Sequence, residues 1–117
     1  MSDFNPVAIE QSIRDCAARI AKGVAVCSNA YSAWLAADHA HDIAEAKAYM
    51  GHTGPAHEKR YAAVLATVRE RQERDAADAA YRYADRQSRA LTEELRAWQS
   101  VGASVRSMYS VAGRGDA

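Results

Sequence analysis

The sequence predicts an all-α protein, an antiparallel helical hairpin of two long helices that is coiled-coil-like and oligomeric. Long alanine-rich, charged segments favour helix. Apolar residues recur in these segments at steps of three and four, which is typical of one helix face. The run from Gly51 to Pro55 is the one strong helix-breaking signal between about residues 6 and 112. We therefore expect a single domain over residues 1–117, with helix 1 at 6–50, a turn at 51–54, helix 2 at 55–111 and a frayed tail at 112–117.

Helix 1 has a clear start and one apolar stripe. Asn5 suits the N-cap, and Pro6 suits the first helical position because its missing N–H would have no partner there. The stripe follows at near-heptad spacing and contains Ile9, Ile13, Cys16, Ile20, Val24, Cys27, Tyr31 and Trp34. After Trp34 the large residues give way to alanine. We expect this stripe to be the packing face of helix 1.

The turn and the second helix follow from the same kind of pattern. Gly51 and Gly54 supply backbone freedom that ends a helix, and Pro55 suits the first position of the next. The helix 2 stripe is predicted to run through Tyr61, Leu65, Val68, Gln72, Ala76, Ala79 and Tyr83. It then passes to Leu91, Leu95, Trp98, Gly102, Val105 and Tyr109, a drift that a straight helix shows against a 3.5-residue repeat. Because helix 2 is longer, we expect either that residues beyond about Gln99 overhang helix 1 or that helix 2 bends there.

The core that these stripes offer is thin, because alanine buries little area. Long helices with thin cores gain burial by pairing with other chains, so we expect a homo-oligomer or a partner protein. The residues predicted for this interface are Ile13, Cys16, Ile20, Val24, Tyr31, Trp34, Trp98, Val105 and Tyr109.

Charge and hydropathy narrow the class of partner. Fifteen basic and fifteen acidic residues give zero formal net charge, which argues against strong non-specific DNA binding because such binding needs a surplus of cations. No window approaches the ~20 apolar residues that span a bilayer. The N-terminus lacks the pattern of a signal peptide. Cys16 and Cys27 read as reduced thiols of a cytoplasmic protein, although a symmetric disulfide between chains stays an alternative.

The sequence has only weak matches to metal-binding, catalytic or nucleic-acid-binding motifs. Asp38, His41, Asp42 and Glu45 share one helix face and have the side chains of a metal site, but a solvated polar face is the favoured interpretation, and we predict no metal and no cofactor. No nucleophile motif or phosphate-binding glycine loop occurs, so we expect no enzyme. The C-terminal third is rich in arginine and aromatic residues, which makes Arg89, Arg96 and Arg106 candidates for binding single-stranded nucleic acid.

Several segments together resemble a family of phage proteins. They are Tyr31-Ser-Ala-Trp34, the stretch Ala44 to Met50 leading into Gly51-x-x-Gly54, Tyr81-Arg-Tyr-Ala84, and Leu95 to Ser100 with Arg106. This arrangement resembles small uncharacterised helical proteins of tailed bacteriophages, found among early replication and recombination genes. The resemblance implies a non-catalytic accessory protein that assists DNA recombination or replication through contacts with another phage or host protein. A single-stranded nucleic-acid-binding protein and an inhibitor of a host bacterial protein are the alternatives.

Overall fold

The computed structural model describes residues 5–115, with side chains described from residue 5 to residue 112. It contains three helices: α1 (Pro6–Gly51), α2 (Ala56–Ala66) and α3 (Val68–Gly115). The all-helical prediction, with two long helices that pack against each other, is confirmed for these residues, whereas the oligomer remains a prediction. Asn5 caps α1 as expected, because its Oδ1 accepts a hydrogen bond of 2.8 Å from the Val7 N–H.

The expected second helix is wrong in one respect, because it is divided at Thr67. The Thr67 N–H donates to the carbonyl of Val64 at 3.3 Å, so the carbonyl of Ala63 loses its normal helical donor. The Thr67 hydroxyl replaces that donor and bonds the Ala63 carbonyl at 2.8 Å. A buried threonine therefore interrupts the helix while keeping its backbone satisfied.

The helix ends also differ slightly from the prediction. Pro55 is the N-cap residue of α2, with φ −62° and ψ 154°, and Ala56 is the first helical residue. The predicted frayed tail is wrong up to Gly115, where α3 ends, since a single glycine such as Gly113 costs only about 1 kcal/mol inside a helix. Residues 116 and 117 of that tail lie outside the described residues.

The chain divides into two compact units, and the single domain expected from the sequence remains a prediction. The first unit contains residues up to Ala25 and residues from Arg86 onward; the second contains Val26–Asp85. In the first unit the start of α1 packs against the later part of α3. In the second unit the rest of α1 packs against α2 and the beginning of α3.

The buried residues of the described chain, and many of the half-buried ones, follow a seven-residue repeat in each unit. In α1 they are Ile9, Ile13, Cys16, Ile20 and Gly23 in the first unit, and Cys27, Ala30, Trp34, Ala37, His41, Ala44 and Ala48 in the second. In α2 and α3 they are Ala63, Thr67, Glu70, Arg74, Ala77, Tyr81 and Ala84 in the second unit, and Ser88, Leu91, Leu95, Trp98, Gly102 and Val105 in the first. We call these positions the heptad lanes.

The heptad lanes correct both predicted stripes. In α1, Gly23 and Ala30 take the positions assigned to Val24 and Tyr31, which are exposed instead. In α2 and the start of α3, the whole predicted stripe from Tyr61 to Tyr83 lies outside the lane, and no drift occurs. The physical reason is that a steady 4–3 spacing decides which residue faces the neighbouring helix, whatever the size of its side chain.

Candidate functional site

The predicted interface residues separate into two groups. Six of them occupy the heptad lanes and pack within one chain: Ile13, Cys16, Ile20, Trp34, Trp98 and Val105. The other three are exposed: Val24, Tyr31 and Tyr109. The first group therefore supports the fold of the chain itself, and its role in contacts with another chain remains a prediction. The second group has exposed side chains, which leaves these residues open to a partner.

An apolar groove lies in the first unit, between the start of α1 and the last turns of α3. It has a volume of about 300 Å³ and is lined by Pro6, Ile9, Glu10, Ile13, Gly102, Val105 and Arg106. Gly102 opens this groove because it has no side chain, and the nearest atoms to an added Cβ would be Ile9 Cγ2 at 3.4 Å and Ile13 Cδ1 at 3.7 Å. Glu10 and Arg106 place one charge of each sign in its lining.

The groove also corrects the predicted overhang. Gly102 and Val105 are buried against α1, so the overhang does not begin at Gln99. Exposed apolar side chains follow directly after the groove, namely Met108, Tyr109 and Val111. We call the groove lining together with those three residues, which follow it in the sequence of α3, the end surface.

Cys16 is almost fully buried, with 2% of its surface exposed. Its thiol donates to the Leu91 carbonyl at 3.2 Å and lies 3.6 Å from Glu94 Oε2. Burial raises the pKa of this thiol, and the negative charge of Glu94 raises it further, against a smaller opposing effect of Arg19. Cys16 is therefore held as a neutral thiol, which is a poor nucleophile.

The metal candidates of α1 lie close to Arg74 of α3, a cation that the sequence analysis did not identify. His41 is buried, with 4% of its surface exposed, and Arg74 Nη1 lies 3.1 Å from its Nδ1. A guanidinium can only donate, so Nδ1 accepts and the proton of the neutral ring is assigned to Nε2. Nε2 lies 3.4 Å from Glu45 Oε2 but is not aligned for a hydrogen bond. Arg74 also lies 3.9 Å from Asp38 Oδ1.

This arrangement gives the predicted metal candidates a different role. Asp38, His41 and Glu45 do face the neighbouring helix, and Asp42 Oδ1 is 3.4 Å from His41 Nδ1. The Arg74 guanidinium occupies the space between the helices and supplies the positive charge. Among residues 5–112 no group of three or more His, Cys, Asp or Glu side chains has the geometry to hold a metal ion. The sequence signal that indicates Arg74 is a charged residue at a heptad-lane position of α3.

The arginines proposed for nucleic acid lie on exposed positions of α3. Arg96 Nη1 is bonded to Glu93 Oε1 at 2.9 Å, and Arg106 lines the groove beside Glu10. Trp98, an aromatic residue of the same C-terminal third, is half-buried in the heptad lane. Another aromatic cluster lies in the second unit, where the centroid of the Tyr31 ring is 5.9 Å from that of Trp34 and 5.1 Å from that of Tyr81.

A property of the helices and the comparisons with known proteins complete the description. No helix within the part of the chain that the structure describes is long and apolar enough to cross a membrane. Comparison with protein-family models, with curated proteins and with solved structures gives no match to this chain. The function is therefore argued from the geometry above.

Proposed function

We propose that this chain is a non-catalytic interaction protein that acts through protein contacts made by its end surface. The observation that carries the proposal is the apolar groove between α1 and α3, continued by exposed Met108, Tyr109 and Val111. An apolar surface that also carries a few charged residues is typical of protein-binding sites. The buried, neutral thiol of Cys16 and the engagement of His41 with Arg74 point in the same direction, since both groups are committed to packing.

The occupant that fits the end surface best is an amphipathic helix of the partner. A groove between two helices accepts a third helix whose apolar residues recur at i, i+3 or i+4 and i+7. The groove, with its volume of about 300 Å³, has room for one such residue. Glu10 and Arg106 favour a partner helix that has a basic residue on one side and an acidic residue on the other.

Assistance to DNA recombination or replication in a tailed bacteriophage is the proposed setting, and it rests on the family resemblance of the sequence. An inhibitor of a host bacterial protein would use the same kind of surface. The identity of the bound partner distinguishes these two roles: a recombination or replication protein favours the first, and an unrelated host enzyme favours the second.

A photo-crosslinking experiment tests the end surface. Tyr109 is replaced by p-benzoylphenylalanine, and Val26 receives the same substitution as a control because its exposed fraction, 59%, is close to the 63% of Tyr109. We expect a bacterial partner to be captured at position 109 and not at position 26. The purified partner should then bind the wild-type chain, and Met108→Glu should weaken that binding at least ~10-fold, as expected for a charge placed in an apolar contact. Equal capture at both positions, or unchanged affinity of Met108→Glu, contradicts the proposal.

Single-stranded nucleic acid is the second candidate ligand, favoured by the exposure of Arg89, Arg96 and Arg106 along α3. The 2.9 Å bond between Arg96 and Glu93 and the half-burial of Trp98 reduce what this face can offer. Fluorescence anisotropy with a labelled oligonucleotide at low salt, where charge attraction is strongest, decides between the candidates. We expect no saturable binding; affinity that falls with salt and with Arg106→Ala would favour the nucleic-acid role.

A further inference from the structure

The second unit carries an apolar strip on the side of α2 and α3 that faces away from α1. Its members are Tyr61, Leu65, Val68, Gln72, Ala76, Ala79 and Tyr83, and all of them are exposed. Two large residues at its start are widely exposed, Tyr61 at 68% and Leu65 at 75%. We call it the Gln72-centred strip. A helix with apolar residues on two faces packs one of them on its own chain and has the other available for a partner.

The strip is symmetric about Gln72. Tyr61 and Tyr83 lie eleven residues before and after it, Leu65 and Ala79 lie seven, and Val68 and Ala76 lie four. A second copy that runs antiparallel, related by a two-fold axis through Gln72, therefore meets the strip with every position in register. At the four inner positions each large residue then faces a small one, so that the side chains interdigitate.

Charges along the edges have the same symmetry. Arg69 and Glu73 lie on one edge of the strip, with Arg69 Nε 3.6 Å from Glu73 Oε1. Arg71 and Asp75 lie on the other edge, also four residues apart. Each pair is centred within one residue of Gln72. In an antiparallel dimer each pair lies next to the same pair of the second copy, which runs in the opposite direction. Arginine of one copy then faces a carboxylate of the other on both edges, and this attraction favours the antiparallel alignment centred on Gln72.

We propose that the Gln72-centred strip is the interface of an antiparallel homodimer whose two-fold axis passes between the Gln72 side chains. At ~1.5 Å rise per residue, the part of the strip in α3, from residue 68 to residue 83, spans about 22 Å, or roughly two heptads of a coiled-coil seam. Tyr61 and Leu65 of α2 extend the strip beyond the break at Thr67. The two Gln72 amides, each a donor and an acceptor, bond each other at the axis and fix the alignment as polar residues do in coiled coils. This dimer uses a surface other than the end surface, so it goes beyond the proposed function and does not depend on it.

Sedimentation equilibrium on the full chain tests the dimer. We expect Leu65→Glu to raise the dissociation constant of the dimer at least ~10-fold, because it places two carboxylates in the apolar seam. Val26→Glu is the matched control, since Val26 is also widely exposed, at 59%, and lies off the strip; it should leave the constant unchanged. Circular dichroism confirms that both variants keep their helix content. A wild-type chain that is monomeric at tens of micromolar, or a dimer unaffected by Leu65→Glu, overturns the proposal.

Disulfide trapping tests the alignment. Gln72→Cys should form a symmetric disulfide with its own copy, since residues at a two-fold axis approach within the Cα separation of about 4.4–6.8 Å that a disulfide requires. A mixture of Leu65→Cys and Ala79→Cys should form a mixed disulfide, and Leu65→Cys alone should not. Peptide mass spectrometry assigns each bond and separates it from any bond of the native Cys16 or Cys27. A bond between two copies of the Leu65→Cys chain, in place of the mixed bond, indicates a parallel pair and refutes the antiparallel register.

Discussion

Replacing Gly102 by alanine tests the close approach of α1 and α3 in the first unit. Gly102 is buried inside α3, where it lies against the α1 residues Ile9 and Ile13. An added Cβ would lie 3.4 Å from Ile9 Cγ2 and 3.7 Å from Ile13 Cδ1. Both distances are van der Waals contacts, so the methyl group fits the groove without moving either helix.

Two contributions set the expected change in the free energy of unfolding. Glycine inside a helix costs roughly 0.5–1 kcal/mol relative to alanine. A buried methyl group contributes up to about 0.8 kcal/mol. The 3.4 Å contact with Ile9 is at the tight end of the ordinary range and offsets part of this gain. We therefore expect Gly102→Ala to raise the free energy of unfolding by about 1 kcal/mol.

Urea unfolding followed by circular dichroism measures this change, with Gly23→Ala as the control. Gly23 is also a lane position of the first unit, but an added Cβ there meets the Ser88 hydroxyl oxygen at 3.4 Å, so mainly the helix-propensity term should appear. The reasoning is refuted if Gly102→Ala lowers stability while Gly23→Ala raises it. In that case the methyl group does not fit against Ile9, and adding Ile9→Val should restore the loss.

Three further changes have defined outcomes. Thr67→Val should lower the free energy of unfolding by about 1–2 kcal/mol, because the buried Ala63 carbonyl loses the hydroxyl that donates to it. Thr67→Ser keeps that hydroxyl and should keep most of the stability in the same urea titration. Gly54→Ala should destabilise by about 1–2 kcal/mol, since its φ of +156° is rare for L residues and its Cβ would lie 2.7 Å from Glu58 Oε2; a melting temperature equal to wild type would contradict this. Cys16 should react with iodoacetamide far more slowly than half-buried Cys27, and its rate should still rise at pH values where an ordinary thiol has levelled off, because its raised pKa keeps it protonated; equal rates by mass spectrometry would show that the thiol is accessible.

Sequence reasoning succeeded where the signal was local. Asn5 with Pro6 marks the start of α1, and the glycines at 51 and 54 mark the connection, because capping and backbone freedom depend on neighbouring residues alone. The division at Thr67 was missed, since a threonine that bonds a carbonyl of the preceding turn is also common within unbroken helices.

The helix faces were harder to predict, for a different physical reason. In the second unit the packed lane contains Ala63, Thr67 and Arg74, while the larger Leu65 lies on the far side. When core side chains are as small as alanine, hydrophobicity no longer marks the buried face, and only the seven-residue spacing does. The contact of His41 with Arg74 also required the relative alignment of two helices, which no local pattern contains.

That contact has a consequence for how the chain selects its native pairing. Around His41 the lane of α1 consists mostly of alanine, at Ala37, Ala44 and Ala48, so a shift of seven residues would lose little apolar burial in this stretch. Such a slip would set Arg74 beside Trp34 or Ala48 in place of His41, leaving a cation between the helices without its acceptor. The 3.1 Å hydrogen bond from Arg74 to His41 therefore favours the native alignment of the two helices in a stretch where apolar packing alone does not fix it. The double variant His41→Ala, Arg74→Ala should then fold into a mixture of offsets, detectable as multiple disulfide partners for a cysteine placed in the lane.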